Sequence, residues 1–263
     1  MPGPRFPVRS WERGAGFRKA GFPLISLELI TILLTGFAAA FFSSVAGSGV
    51  TAVLLPVLVL FMGVHEAVPV VTLALLLSTI GRAWVNRSEI VYPVAGWFIL
   101  GGVPSTALGT LLFTRTAPEL LTKLLGIFLL IMVAWRRFAP PPPARHAAIW
   151  FLPIGLFFGF LTGFISGVGP MLAPFYLAYG LRKGAYVGTA ALGAIVIVSA
   201  KVAVFGQQAF LSDHVLFYGA VLLPMMFLGT WCGKLLMNRL SERVFVLLIE
   251  GVMITSAITF LLK

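Results

Sequence analysis

The chain has 263 residues, 59% of them hydrophobic and only 10% charged, with a mean hydropathy of +1.03 and a formal net charge of +11. A soluble domain carries about 25% charged residues, so this composition belongs to the membrane class. Apolar segments fill almost the whole length, which excludes most enzyme classes and leaves any function to the membrane bundle itself.

The first 19 residues hold Arg5, Arg9, Arg13, Arg18 and Lys19. Basic residues flanking apolar spans hold span ends in the cytoplasm and near anionic headgroups, so the positive charge points to membrane lipid and not to nucleic acid. Residues 1–22 read as a basic, disordered cytoplasmic tail. The following stretch resembles a signal peptide, with Ala38, Ala39 and Ala40 as small residues, but its apolar run exceeds the ~7–15 residues of a signal core. An uncleaved first span is expected. Cys232 is the only cysteine, so the chain has no internal disulfide and no cysteine-based metal site.

Residues 23–138 are predicted to form a first membrane repeat, with apolar segments at about 24–46, 49–62, 67–85, 91–113 and 118–135. A proline-rich linker, 139–146, follows. Residues 147–263 form a second repeat, with segments at about 147–167, 169–179, 184–205, 214–236 and 243–262. A shift of 120 residues places Phe37 on Phe157, Gly47 on Gly167, Gly49 on Gly169, Pro104 on Pro224, and Leu108-Gly109-Thr110 on Leu228-Gly229-Thr230. A slightly smaller shift aligns Gly63 with Gly180 and Thr72 with Thr189. The predicted fold is an all-α polytopic membrane protein of two homologous repeats, each of about four transmembrane helices plus a half-helix. Internal repeats in such a protein point to transport.

No charged residue lies between Glu28 and His65, or between His146 and Arg182. Each run, as one helix, would measure about 50 Å, far beyond a hydrocarbon core of about 30 Å. Two full spans with a turn would need a few more residues. The spacing therefore predicts one span and then a half-helix, broken at Gly47, Ser48 and Gly49 and again at Gly167 and Gly169. Pro56 and Pro174 lie in the half-helices. Broken backbone at membrane depth belongs inside protein or beside a wet cavity. The alternative is that these glycines only allow close helix packing, although packing glycines favour i, i+4 over the i, i+2 seen here.

A helix starting at Gly49 or Gly169 offers free N–H groups and a positive dipole end, an arrangement that binds anions. Ser44, Ser48 and Ser166, with Ser43 and Thr51, add hydroxyls; each could instead bond back within its own helix. Arg82 and Lys201 lie within one helical turn of equivalence in the duplicated alignment. Charge at membrane depth usually faces the bundle interior, or else snorkels to the interface. Thr72 and Thr189 are weaker candidates. Glu250 could carry a coupling proton or pair with a cation such as Lys234. His65, His146 and His214 are not spaced to chelate a metal, and neither serine-glycine stretch has the Gly-x-Ser-Gly order of an intramembrane serine protease. There is no Gly-x-x-x-x-Gly-Lys-Ser/Thr motif, so ATP is not used directly. No cofactor is expected.

A span, a glycine-rich break, a short proline-containing segment, a glycine turn and later spans with Pro and Leu-Gly-Thr recur in each half. This resembles the sulfite exporter TauE/SafE family of bacterial membrane transporters over about residues 29–262. The family's break is a glycine triplet followed by Pro. Here the copies read Ala46-Gly47-Ser48-Gly49-Val50 with Pro56, and Ser166-Gly167-Val168-Gly169-Pro170 with Pro174, both short of the full triplet. The resemblance implies export or exchange of sulfite or an organosulfonate across the bacterial inner membrane.

Two topologies remain open. With four crossings per half the repeats are parallel, and Arg82, Arg87, Arg136, Arg137 and Arg145 share the cytoplasm with the N-terminus. With an odd number they are inverted, and those arginines lie opposite the N-terminus. The positive-inside rule favours the parallel version. The expected protein is a secondary transporter for a small anion, with Ser44, Gly47, Ser48, Gly49, Arg82, Ser166, Gly167, Gly169 and Lys201 as the substrate site. A homo-oligomer is left open. The competing reading is a membrane anchor that recruits an enzyme or ATPase, which would need a long cytoplasmic loop.

Overall fold

The structure is a computed structural model that describes residues 27–46, 50–138, 147–166, 168–181, 183–236, 251 and 254–262. All regular elements among them are helical. In chain order they are α1 (Leu27–Ala46), α2 (Val50–Met62), α3 (Val64–Val85), α4 (Tyr92–Arg115), α5 (Pro118–Phe138), α6 (Phe151–Phe164), α7 (Gly169–Tyr179), α8 (Lys183–Gln207) and α9 (Asp213–Leu236). Residues 254–262 are also helical. Proline opens helices where its missing N–H costs nothing: Pro118 starts α5, and Pro170 lies in the first turn of α7. Gly63, at φ 77°, separates α2 from α3, and Gly180, at φ 105°, ends α7. Both sit in the left-handed region that a side chain disfavours.

Among the described residues, four helices are long and apolar enough to cross a membrane: Val64–Trp84, Tyr92–Arg115, Pro118–Trp135 and Gly184–Gln207. Leu29–Phe41, Ala148–Phe164 and Asp213–Gly229 are shorter apolar stretches. Large apolar side chains such as Leu34, Leu100, Leu108 and Phe227 stay exposed, as expected where lipid and not water surrounds the bundle.

The tightest packing joins α4 to α6. Gly155, Gly159 and Gly163 recur every four residues and form one stripe of α6. A Cβ on Gly155 would strike the Phe98 carbonyl, and one on Gly163 the Thr106 carbonyl. From the other side, Gly101 lies against the Leu152 carbonyl and Gly109 against that of Phe160. Such approach lets hydroxyls bridge the helices: Thr106 Oγ1 donates to the Gly159 carbonyl at 2.8 Å, and Ser105 Oγ reaches that of Gly155 at 3.3 Å. Small residues with hydroxyl bridges are how helices associate where no hydrophobic effect separates them from lipid. The same device joins α1 to α9, where Gly229 lies against the Phe37 carbonyl and Gly36 against Leu222.

These contacts also give direction. Residues advance together along α4 and α6, and along α1 and α9, so each of these pairs is parallel. In contrast, α3 and α8 are antiparallel. Asn86, just past α3, lies against Gly188 near the start of α8. His65, at the start of α3, packs edge-on against Phe210, just past the end of α8. The α1 helix runs in the same direction as α3, through α9, whose Gly219 packs on Leu73 as its Leu222 does on Gly36. The chain between α1 and α3 must therefore return, so the short second segment forms a hairpin with the span before it.

Candidate functional site

The site is built on the end of α6. In a continuing helix the Thr162 carbonyl would accept the N–H of Ser166, four residues on. Ser166 instead turns to φ 77°, and its N–H reaches back to the Leu161 carbonyl at 3.3 Å, beside that of Ile165 at 2.8 Å. The Thr162 carbonyl is released and needs another donor, because water is scarce at this depth. Lys201, from α8, provides it: its Nζ lies 2.7 Å from the Thr162 oxygen and 2.5 Å from Ser166 Oγ. The ammonium thus caps the negative end of a helix not its own, where a cation is favoured.

Lys201 is 1% exposed and is the one charged side chain that is buried among the described residues. No carboxylate of those residues lies within ion-pair distance of it; the ion pair found there joins His214 Nδ1 to Glu66 at 3.0 Å. Burying a charge costs several kcal/mol even after the surroundings relax. Two oxygens and the α6 dipole offset part of that cost. The Phe113 and Phe205 rings, centred 6.0 and 5.5 Å from Nζ, offset some more. An ammonium has three N–H donors, and two are engaged.

Of the expected site residues, the structure brings together Ser166 and Lys201 and sets Gly169 close by in sequence as the first residue of α7. A Cβ built on Gly169 meets nothing within 4 Å, so close helix packing does not account for that glycine. Gly47, Ser48, Gly49 and Gly167 lie outside the described residues, as do Glu250, the tail 1–22 and the linker 139–146. Ser44 lies within α1, but its side chain is likewise outside the description. Arg82 is not brought to Lys201. It sits one turn before Asn86, which packs near Gly188, and Lys201 is thirteen residues further along α8. Because α3 and α8 are antiparallel, that turn brings Arg82 four residues nearer, so at 1.5 Å per residue the two levels differ by about 13 Å.

Thr72 bonds back to the Val68 carbonyl at 2.7 Å, and the Thr189 hydroxyl accepts the Val91 N–H at 2.9 Å. Both thus have structural partners. His65 Nε2 meets the Thr116 carbonyl at 3.2 Å, so that nitrogen carries the proton. The Thr162 carbonyl and the two phenylalanine rings had no signal in the sequence, since a backbone oxygen is revealed only when a helix stops. The α4–α6 seam did have one, in three glycines at four-residue intervals.

The sequence model of the family described as sulfite exporter TauE/SafE matches residues 32–260. The chain belongs to that family. Its members are membrane transporters, and the match spans every described helix of the bundle except the first residues of α1 and the last two of the C-terminal helix. No curated protein matches this TauE/SafE chain, and no solved structure does. Its site is therefore argued from its own geometry.

Proposed function

We propose that this TauE/SafE protein is a secondary transporter that exports or exchanges a small anion, sulfite or an organosulfonate, across a bacterial inner membrane. The observation that carries the reading is Lys201: a buried ammonium with one donor free and no carboxylate partner among the described residues, at the point where α6 stops. Positive charge in such a place is retained at a cost, and an anion that takes the remaining donor recovers part of it. Ser166 provides a hydroxyl, and the start of α7 at Gly169 has open space. Gly47, Ser48, Gly49 and Ser44 are the counterpart in the first half.

The helix pairing supports a duplicated chain with inverted repeats. The α4–α6 seam has its counterpart in α9–α1, and the helices that the alignment equates, α3 and α8, run in opposite directions. Alternating access then follows from one repeat rocking against the other. Lys201 and Arg82 lie at different levels of the bundle, each meeting the anion in a different phase.

Inversion also changes the expected orientation. Arg82, Arg87, Arg136, Arg137 and Lys183 lie toward the ends of odd-numbered helices or at the start of α8 and share one face. Arg115 and Lys123 lie on the other, with the start of α1. Loop basic residues near span ends decide orientation, so we place the Arg82 face in the cytoplasm and the start of α1 outside.

The test is flux in proteoliposomes, with thermal stability of the purified protein measured against sulfite, sulfate, thiosulfate, sulfoacetate, taurine, bicarbonate and chloride at matched ionic strength. A ligand at 100 times its dissociation constant stabilises by about 2.7 kcal/mol. Selective stabilisation by a sulfur anion, with matching flux, supports the reading. A flat response with no flux refutes it.

A further inference from the structure

Given that the Lys201 site is the substrate site, we propose that it takes monoanions and rejects dianions, so that the transported forms are hydrogen sulfite and singly charged sulfonates rather than sulfite or sulfate dianions. The argument is a count of charge. One buried ammonium faces the site, and among the described residues no second buried cation accompanies it. Arg82 stands about 13 Å away along the bundle. The break itself adds little net field, because it brings together the C-terminal end of α6 and the N-terminal end of α7. Their partial charges, about −0.5 and +0.5, oppose each other.

Among the described residues, the groups bonded to the ammonium or facing it are one hydroxyl, one carbonyl and two phenyl rings: Ser166, Thr162, Phe113 and Phe205. None neutralises a second negative charge, and the carbonyl and ring faces repel one. A monoanion is matched by the single ammonium. A dianion carries one uncompensated charge into a water-poor site, which is heavily disfavoured. The rings also give an apolar wall suited to a short uncharged substituent, such as the methyl group of an alkanesulfonate.

The experiment is titration calorimetry on the purified full chain with methanesulfonate, ethane-1,2-disulfonate, sulfate and sulfite, from mildly acidic to mildly alkaline pH. Methanesulfonate keeps its single charge throughout, whereas hydrogen sulfite loses its proton over this range. Expected are dianions at least about tenfold weaker than methanesulfonate. Sulfite affinity should fall as pH rises while methanesulfonate affinity stays level, which separates titration of the ligand from titration of Lys201. Disulfonate or sulfate binding as tightly as methanesulfonate overturns the charge match and leaves the anion site standing. No binding of any anion, or unchanged binding in K201M, removes the site itself and the charge match with it. The wild-type comparison needs no variant to fold.

Discussion

Lys201 Nζ lies 2.7 Å from the carbonyl oxygen of Thr162, in the last turn of a helix to which it does not belong. One helix thus ends on the charge of another, and the broken backbone and the buried cation are two halves of one arrangement. Removing either half leaves the other without a partner.

Lys201→Met tests that arrangement. The apolar side chain leaves the Thr162 carbonyl and the Ser166 hydroxyl unpaired, at about 1–3 kcal/mol each, but removes the several-kcal/mol burial cost of the charge. The two effects are of similar size, so melting temperature is expected to change little while anion-induced stabilisation disappears. A variant that unfolds outright would mean that the ammonium is chiefly structural.

Ser166 separates strain from chemistry. At φ 77° a residue with a Cβ is disfavoured by about 1–2 kcal/mol, a penalty that glycine escapes. S166G should therefore be about 1 kcal/mol more stable than S166A. Both lose the hydroxyl and should weaken anion binding alike, by about tenfold to a hundredfold, as the ~1.5–3 kcal/mol of a hydrogen bond to a charged group implies. Equal stability of the two in chemical denaturation would contradict the left-handed turn.

Arg82→Gln should leave equilibrium anion affinity at the Lys201 site within about threefold, because the two residues stand at levels about 13 Å apart along the bundle. Transport rate should fall, if Arg82 serves the other phase of the cycle. Calorimetry and proteoliposome flux on the same preparation distinguish the two effects.

Gly163→Ala drives a methyl group into the Thr106 backbone, whereas at Gly96 a Cβ meets nothing within 4 Å. The first change is expected to destabilise by about 1–3 kcal/mol through overpacking. The second should gain up to about 1 kcal/mol from helix propensity. Thermal melts of both variants in one detergent provide the comparison.

Orientation is testable with Cys232→Ser as background and single cysteines at Asn86 and at Ser212. The two positions lie at opposite ends of the antiparallel α3 and α8, near Gly188 and just before α9. In intact cells a membrane-impermeant maleimide should label Ser212→Cys and spare Asn86→Cys. The reverse pattern would place the first helix's start in the cytoplasm.

Membrane residence and the positions of the described helices were legible in the sequence. Apolar length against bilayer thickness predicts spans, and a run too long for one span and too short for two predicts an interruption. Proline and glycine mark the ends, as Pro118, Gly63 and Gly180 do. The four-residue glycine spacing in α6 also announces a packing stripe, though not which helix will fill it. Family membership was legible for the same reason, since it rests on the order of local signals along the chain.

Tertiary structure alone decided which distant groups meet. That Lys201 reaches Thr162 and Ser166 while Arg82 does not depends on α3 and α8 running antiparallel, and this turns on whether a short segment folds back on the span before it. Hydropathy is blind to that choice, because a half-helix and a hairpin arm have the same composition. Charge counting could not settle it either, because the number of crossings has to be known before loops can be assigned to faces. The sequence by itself determined what must be buried and where helices stop; the fold decided which charge meets which helix end.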